Sequence, residues 1–243
     1  MQKLLILQTG TTLPQLAARH GDFAAWFARG AGLGRDDIEI VRCDRGETLP
    51  SAARFAGVFV TGSASMVTER ADWSERSADW LARLVHADTL PVLGVCYGHQ
   101  LLAHGLGGTV DWNPRGRQIG TKPLNRAAAA HDDALFQGLD ENFRAQTTHQ
   151  QVVTVAPPGA TVLASSALDP HQALRLGQRA WGVQFHPEFS AGIMAGYICG
   201  RSERLRSEGQ DPQALLRECG PAPAARRLLR RFVQLARSRH NRS

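Results

Sequence analysis

The run Gly94-Val95-Cys96-Tyr97-Gly98 constrains this chain more than any other feature of its sequence. An apolar, strand-like stretch, residues 91–95, enters it, and a helical stretch, residues 99–106, leaves it and stops at Gly107 and Gly108. A chain that turns from strand to helix so sharply needs small neighbours at the bend, which Gly94 and Gly98 supply. The central side chain then projects over the amino end of the helix. Unsatisfied N–H groups there carry about half a positive charge, which favours a thiolate and can also hold an oxyanion. A lone cysteine is most often a buried core residue. The paired glycines, the strand before and the helix after shift the balance toward a nucleophile at Cys96.

The rest of the chain fits an α/β frame. Strand-like runs at Lys3–Gln8, Ile38–Arg42 and 56–61 alternate with helical ones at 22–31, where Asp22 is placed as a cap, and at Asp72–His86. This βα alternation predicts a mostly parallel central sheet with helices on both faces. Between residues 109 and 181 the pattern shortens. Pieces at 118–124, 143–147, 152–155, 161–166 and 173–176 read as a small antiparallel addition, and 180–185 as a last core strand. After Glu188 the chain reads as a helical tail broken at Pro212 and at Pro221 and Pro223. Residues 224–239 form a basic amphipathic helix with Leu228, Leu229, Phe232, Val233 and Leu235 on its apolar side. That face either packs on the domain or serves as a contact for a homodimer, an acidic partner or a membrane surface. Trp26, Trp73 and Trp80 fall at helical spacings and read as packing residues.

Composition excludes several classes. A chain of 243 residues buries enough surface to need neither disulfide nor metal for stability. Its cysteines, Cys43, Cys96, Cys199 and Cys219, show no paired spacing, which argues against a zinc site and a secreted disulfide framework. The opening residues are too short an apolar run for a signal peptide, and no stretch approaches a membrane span. The expected location is therefore the cytoplasm. The net charge of +6 is carried almost entirely by arginine, but without interleaved aromatic residues it does not indicate nucleic-acid binding.

A second motif stands far from the first. Residues 180–185 read as a strand that delivers His186, followed by Pro187 and Glu188. A histidine can accept the thiol proton and later protonate a leaving group. A carboxylate on its other nitrogen fixes tautomer and orientation, and Pro187 stiffens the link between the two. Alone, this triplet is as common as any loop histidine beside a surface glutamate. Paired with the cysteine turn, it describes a Cys96–His186–Glu188 triad.

Together these elements resemble the class I (triad) glutamine amidotransferases, and within them a stand-alone subgroup related to the glutaminase domain of GMP synthase. The stretch from Gly94 to Gly108 is similar to that family's nucleophile motif and the helix behind it. Residues 182–189 resemble its His-Pro-Glu motif, 60–69 its oxyanion loop, and Thr148-His149-Gln150-Gln151 its Ser-His-Gln-Asp segment. The resemblance implies a flavodoxin-like sheet in a domain over residues 1–190, with residues 191–243 as a helical extension packed on it. It implies Cys96 as nucleophile, His186 as base and acid, and Glu188 as orienter. It implies backbone N–H groups of Tyr97 and of Gly62 or Ser63 as the oxyanion hole, and Gln100, Thr148, His149 and Gln150 as substrate-binding residues. No metal or organic cofactor is implied. His99 and His104 read as structural. The loop departs from the family's Gly-Gly-Pro at Gly62-Ser63-Ala64, and Gln151 stands where the family has an acidic residue, which removes a charge.

The implied reaction is attack of Cys96 on the carboxamide of glutamine or a γ-glutamyl compound, through a γ-glutamyl thioester. Two routes for the released amine stay open: ammonia passed to a separate synthetase subunit, or action as a stand-alone γ-glutamyl peptidase or amidase on a γ-glutamyl metabolite. The tail carries no Gly-rich nucleotide site. A non-catalytic regulatory module on the same fold is the third reading, against which the intact triad speaks.

Overall fold

A computed structural model describes residues 2–238, so that Met1 and the final arginine of the 224–239 helix lie outside the described residues. Among these, the strands are β1 (Lys3–Gln8), β2 (Ile38–Arg42), β3 (Phe55–Val60), β4 (Val92–Val95), β5 (Thr109–Trp112), β6 (Gln118–Arg126), β7 (Asn142–His149), β8 (Gln151–Val155), β9 (Thr161–Ser165), β10 (Ala173–Arg175) and β11 (Ala180–Val183). The helices are α1 (Pro14–His20), α2 (Phe23–Ala31), α3 (Asp72–His86), α4 (Tyr97–Gly105), α5 (Ala191–Gly200), α6 (Ser202–Ser207), α7 (Pro212–Glu218) and α8 (Pro223–Ser238).

The main sheet runs β2-β1-β3-β4-β11-β10-β9-β6-β7. The first five strands are parallel, and the remaining ones continue the sheet antiparallel from β11 onward. A separate antiparallel ribbon pairs β5 with β8. β3, β4 and β11 are buried along their whole length, as expected of central strands covered on both faces.

Alternate residues of each strand feed two cores. On one face Leu4, Ile6, Phe59 and Leu93 pack with Phe27 of α2 and with Leu228, Leu229 and Phe232 of α8. On the other, Leu5, Leu7, Val58, Val60 and Val92 pack with Leu81 and Leu84 of α3 and Leu101 and Leu102 of α4. The tilted rings of Phe59 and Phe232 pack with centres 4.7 Å apart, and a Cβ at Gly57 would come within 2.9 Å of the Ala236 methyl, so β3 and α8 lie very close. The apolar face of α8 is thus used inside the domain. Trp80 is buried in the second of these cores. A third cluster joins Leu16, Phe23 and Trp26 to Phe189, Met194, Tyr197 and Leu205, and forms the rear wall of the site.

Two elements differ from the sequence reading by their existence. Helix α1 buries only Leu16, and β5 buries only Val110, so neither carries a hydrophobic period. Among the described residues no helix is long and apolar enough to cross a membrane.

Candidate active site

Three turns at the carboxyl edge of the parallel sheet meet at one point, where open α/β sheets place their ligands. β3 is followed by Gly62 and Ser63, β4 by Cys96, and β11, after two more residues, by His186. β4 and β11 are neighbours in parallel register, Val95 opposite Val183, so residues far apart in sequence are adjacent here.

Cys96 is the cap residue of α4, with φ 53° and ψ −101°. A left-handed φ on a side chain with a Cβ costs about 1–3 kcal/mol and persists only where the surroundings hold it. They do: the Cys96 N–H donates to the Val183 carbonyl at 2.8 Å, and its carbonyl accepts from Gln100 N–H at 3.1 Å. A Cβ on Gly94 would overlap the Gly98 carbonyl, and one on Gly98 would lie 2.6 Å from the Val60 oxygen. The two glycines therefore let the helix start pass directly over β3 and β4. Tyr97 opens α4, so its N–H has no helical acceptor.

The imidazole of His186 hydrogen-bonds Glu188 from Nδ1 to Oε1 at 2.7 Å, with both side chains almost fully buried. Its backbone N–H donates to the Gln146 carbonyl at 2.7 Å. The ring stacks on Phe189 at 4.0 Å, and its Cε1 is 3.0 Å from where a Gly62 Cβ would be. Burial disfavours the imidazolium, but the negative Glu188 and the adjacent Cys96 sulfur outweigh it, and the pKa is pushed up to about 10. The other buried histidines go the opposite way. Burial drives His99 and His149 down to about 3, which makes both neutral at pH 7.

The loop after β3 is pinned from behind. The Gly62 carbonyl accepts from the Thr9 and Thr61 hydroxyls, each at 3.0 Å. No cis peptide bond occurs among the described residues, and in a trans peptide C=O and N–H point opposite ways. The Ser63 N–H therefore points away from those threonines.

Cys96 lies between two cavities. One, of about 220 Å³, is lined by Tyr97, Gln100, His149, Gln150 and Gln151 among others. The second, of about 260 Å³, carries His186 with Thr11, Thr12, Leu13, Phe23 and Tyr197. Ser63, Thr148 and Arg201 border both. Gln100 spends both amide protons internally, on the Gln151 carbonyl at 2.6 Å and Gln184 Oε1 at 2.9 Å, so its free offering to the cavity is an oxygen. Gln151 donates to Thr68 Oγ1 at 2.6 Å, and its own buried Oε1 has no donor. Cys96, Tyr97, Gln100, Thr148, His149, Gln150, Ser63 and His186 border this space, Glu188 holds His186, and Gly62 lies behind Ser63 without lining either cavity. Arg117 and Arg201 were not anticipated from sequence, because nothing local distinguishes them from the chain's other arginines. Among the described residues no group of three or more His, Cys, Asp or Glu side chains is placed to hold a metal ion.

Comparison with known proteins gives a consistent picture. The family described as "Glutamine amidotransferase class-I" matches residues 27–199. A GMP synthase [glutamine-hydrolyzing] of Thermus thermophilus is 44% identical over 100 residues, covering 41% of this chain and 19% of that protein. One from Azoarcus sp. is 28% identical over 245 residues, covering 88% of this chain and 43% of that protein. The chain thus spans less than half the length of these curated relatives. Among solved structures, a glutamine amidotransferase from Thermotoga maritima superposes with a TM-score of 0.76 at 21% identity, covering 98% of this chain and 99% of that one. A glutamine amido transferase from Methylobacillus flagellatus gives 0.72 at 22% identity, covering 97% and 93%. At these identities the two structures speak to the fold alone.

Proposed function

The chain belongs to the class I glutamine amidotransferases, and from that premise we propose that it cleaves γ-glutamyl amides with a Cys96–His186–Glu188 triad. One observation carries the reading: a strained Cys96 and an imidazole held by Glu188 at 2.7 Å border the same cavity at the ends of adjacent strands.

In this reading the γ-glutamyl group occupies the cavity lined by Gln100, Thr148, His149 and Gln150. Gln151, at the position of the family's carboxylate, borders this cavity without a charge to offer the substrate ammonium. The sulfur of Cys96 adds to the amide carbon, and the new oxyanion is held by the N–H groups of Tyr97 and of Gly62 or Ser63. A single such donor contributes ~3 kcal/mol to transition-state stability. The C–N bond breaks as His186 gives its proton to the departing nitrogen. Water, losing a proton to His186, then opens the γ-glutamyl thioester to glutamate and free thiol. The elevated pKa of His186 suits this role, since the imidazolium is present at the moment a proton must be delivered.

The names of the longer relatives, glutamine-hydrolysing GMP synthases, support glutamine as donor and a separate synthetase as the recipient of ammonia. The second reading, a γ-glutamyl amidase acting alone, is favoured by the roomy cavity on the His186 side. The absence of disulfides among Cys43, Cys96, Cys199 and Cys219 suits a reducing, cytoplasmic setting for either. Measuring glutamate release by the purified chain, with and without the Cys96→Ala change, tests the shared chemistry. A fall of at least about 10³-fold is expected. A variant that keeps a tenth of the activity would remove Cys96 from the mechanism.

A further inference from the structure

The two cavities that meet at Cys96 are not equivalent, and the difference concerns the leaving group. His186 borders only the second, so a nitrogen that takes its proton from His186 departs into that space. Ammonia is about the size of a water molecule, whose share of liquid volume is about 30 Å³. A cavity of about 260 Å³ is far larger than ammonia needs.

Its walls describe what would fill it. Leu13, Pro14 and Phe23 are apolar, whereas Arg201 supplies a cation. This arginine is held in place before any ligand arrives. Its guanidinium sits 4.9 Å above the Tyr197 ring, which stacks on Phe189 at 5.0 Å, which stacks on His186 at 4.0 Å. It gives one hydrogen bond, to Thr148 Oγ1 at 2.7 Å. Among the described residues no carboxylate forms an ion pair with it, while the nearby Arg117 is paired with Glu208 at 2.8 Å. A half-buried guanidinium with most of its N–H groups free and no counter-ion is a site for an anion. Arg201 borders both cavities; Tyr197, whose ring it covers, borders only the one that carries His186, so the guanidinium is within reach of a leaving group there, whereas Arg117 borders only the other.

We propose that Arg201 selects γ-glutamyl amino acids, compounds whose amine portion carries a carboxylate on a short aliphatic stem, over glutamine and neutral γ-glutamyl amides. This rests on the γ-glutamyl amidase reading above and names its substrate class. The atoms balance as before: the amide C–N bond breaks, the amino acid leaves with the His186 proton, and water releases glutamate from Cys96. Arg201 acts by charge and position on the part of the substrate that leaves.

The test compares kcat/KM of the full chain on γ-glutamylglycine and on γ-glutamylethylamide, which differ mainly in the carboxylate, with glutamine as reference. The wild type should prefer the acid by roughly tenfold or more, the size of one charge-assisted hydrogen bond. That preference should fall to near unity in Arg201→Gln and partly persist in Arg201→Lys, whatever happens to the absolute rates. No preference in the wild type, or one that survives in Arg201→Gln, would overturn the proposal while leaving γ-glutamyl cleavage intact. Equal losses on all three substrates would place Arg201 on the γ-glutamyl carboxylate and overturn it too. Failure to hydrolyse any of the three would instead strike the underlying amidase reading.

Discussion

At the scale of single residues, the site rests on opposite treatments of similar side chains. Cys96 is held at a φ that few side chains adopt, whereas Cys43 sits in a strand-end turn where burial raises its thiol to about 11. His186 is pushed up by Glu188 and Cys96, whereas His99 and His149 are pushed down by burial. The stability consequence has a definite sign. A histidine whose folded pKa exceeds its ordinary 6.5 contributes stability that is complete below about pH 6.5 and is lost as pH rises through about 10. Replacing Glu188 by Gln removes the largest favourable influence on that proton. The stability gap between wild type and Glu188→Gln, measured by denaturant unfolding at pH 6, 8 and 10 (about pH 6.5 being the unfolded midpoint), should therefore narrow as pH rises. A gap constant with pH would mean His186 is neutral throughout. These residues could be read from sequence because each sits in a short motif whose chemistry is local. Arg201 could not. Its meaning depends on Tyr197, Phe189 and Thr148, which only tertiary packing brings around it.

At the scale of elements, most strands and helices announce themselves by apolar period, and the failures have a common cause. Helix α1 begins with Pro14 and buries one side chain, and the ribbon strand β5 leaves Trp112 more than half exposed. Each is held by what it touches rather than by its own pattern. Helix α4 starts at Tyr97, ahead of the residues 99–106 read from periodicity, because the strained Cys96 serves as its cap. That compressed turn makes a strong prediction. Gly94→Ala would force a methyl group into the Gly98 carbonyl and close to Leu102 Cδ1, 2.7 Å away. Overpacking of backbone, which cannot rotate aside, should cost at least about 2 kcal/mol and misplace the thiol. Thermal unfolding and glutamate release measured together check this, and a variant with wild-type stability and rate would show that the turn has slack.

At the scale of the whole molecule, the sequence conveyed a parallel sheet with helices on both faces but not the strand order. The order is what makes a site, since β4 and β11 must be neighbours for Cys96 to meet His186. The tail reads from sequence as an extension packed on the domain, without saying which core it joins. Its amphipathic helix, open to several partners on pattern alone, turns out as α8 to complete one core with Leu228, Leu229 and Phe232. Helix α5 and the junction that follows it close the rear of the site through Tyr197 and Arg201. Residues beyond the nucleophile and His-Pro-Glu motifs thus shape the cavity into which the leaving group would pass. The account as a whole depends on acyl transfer to one sulfur. Incubating the chain with a γ-glutamyl-like electrophile, such as a chloroketone analogue of glutamine, and mapping the adduct by peptide mass spectrometry addresses that directly. The predicted result is one adduct, on Cys96, formed in step with loss of glutamate release and blocked by excess substrate. Modification of Cys43, Cys199 or Cys219 with Cys96 untouched, or full labelling of Cys96 with activity unchanged, would contradict it.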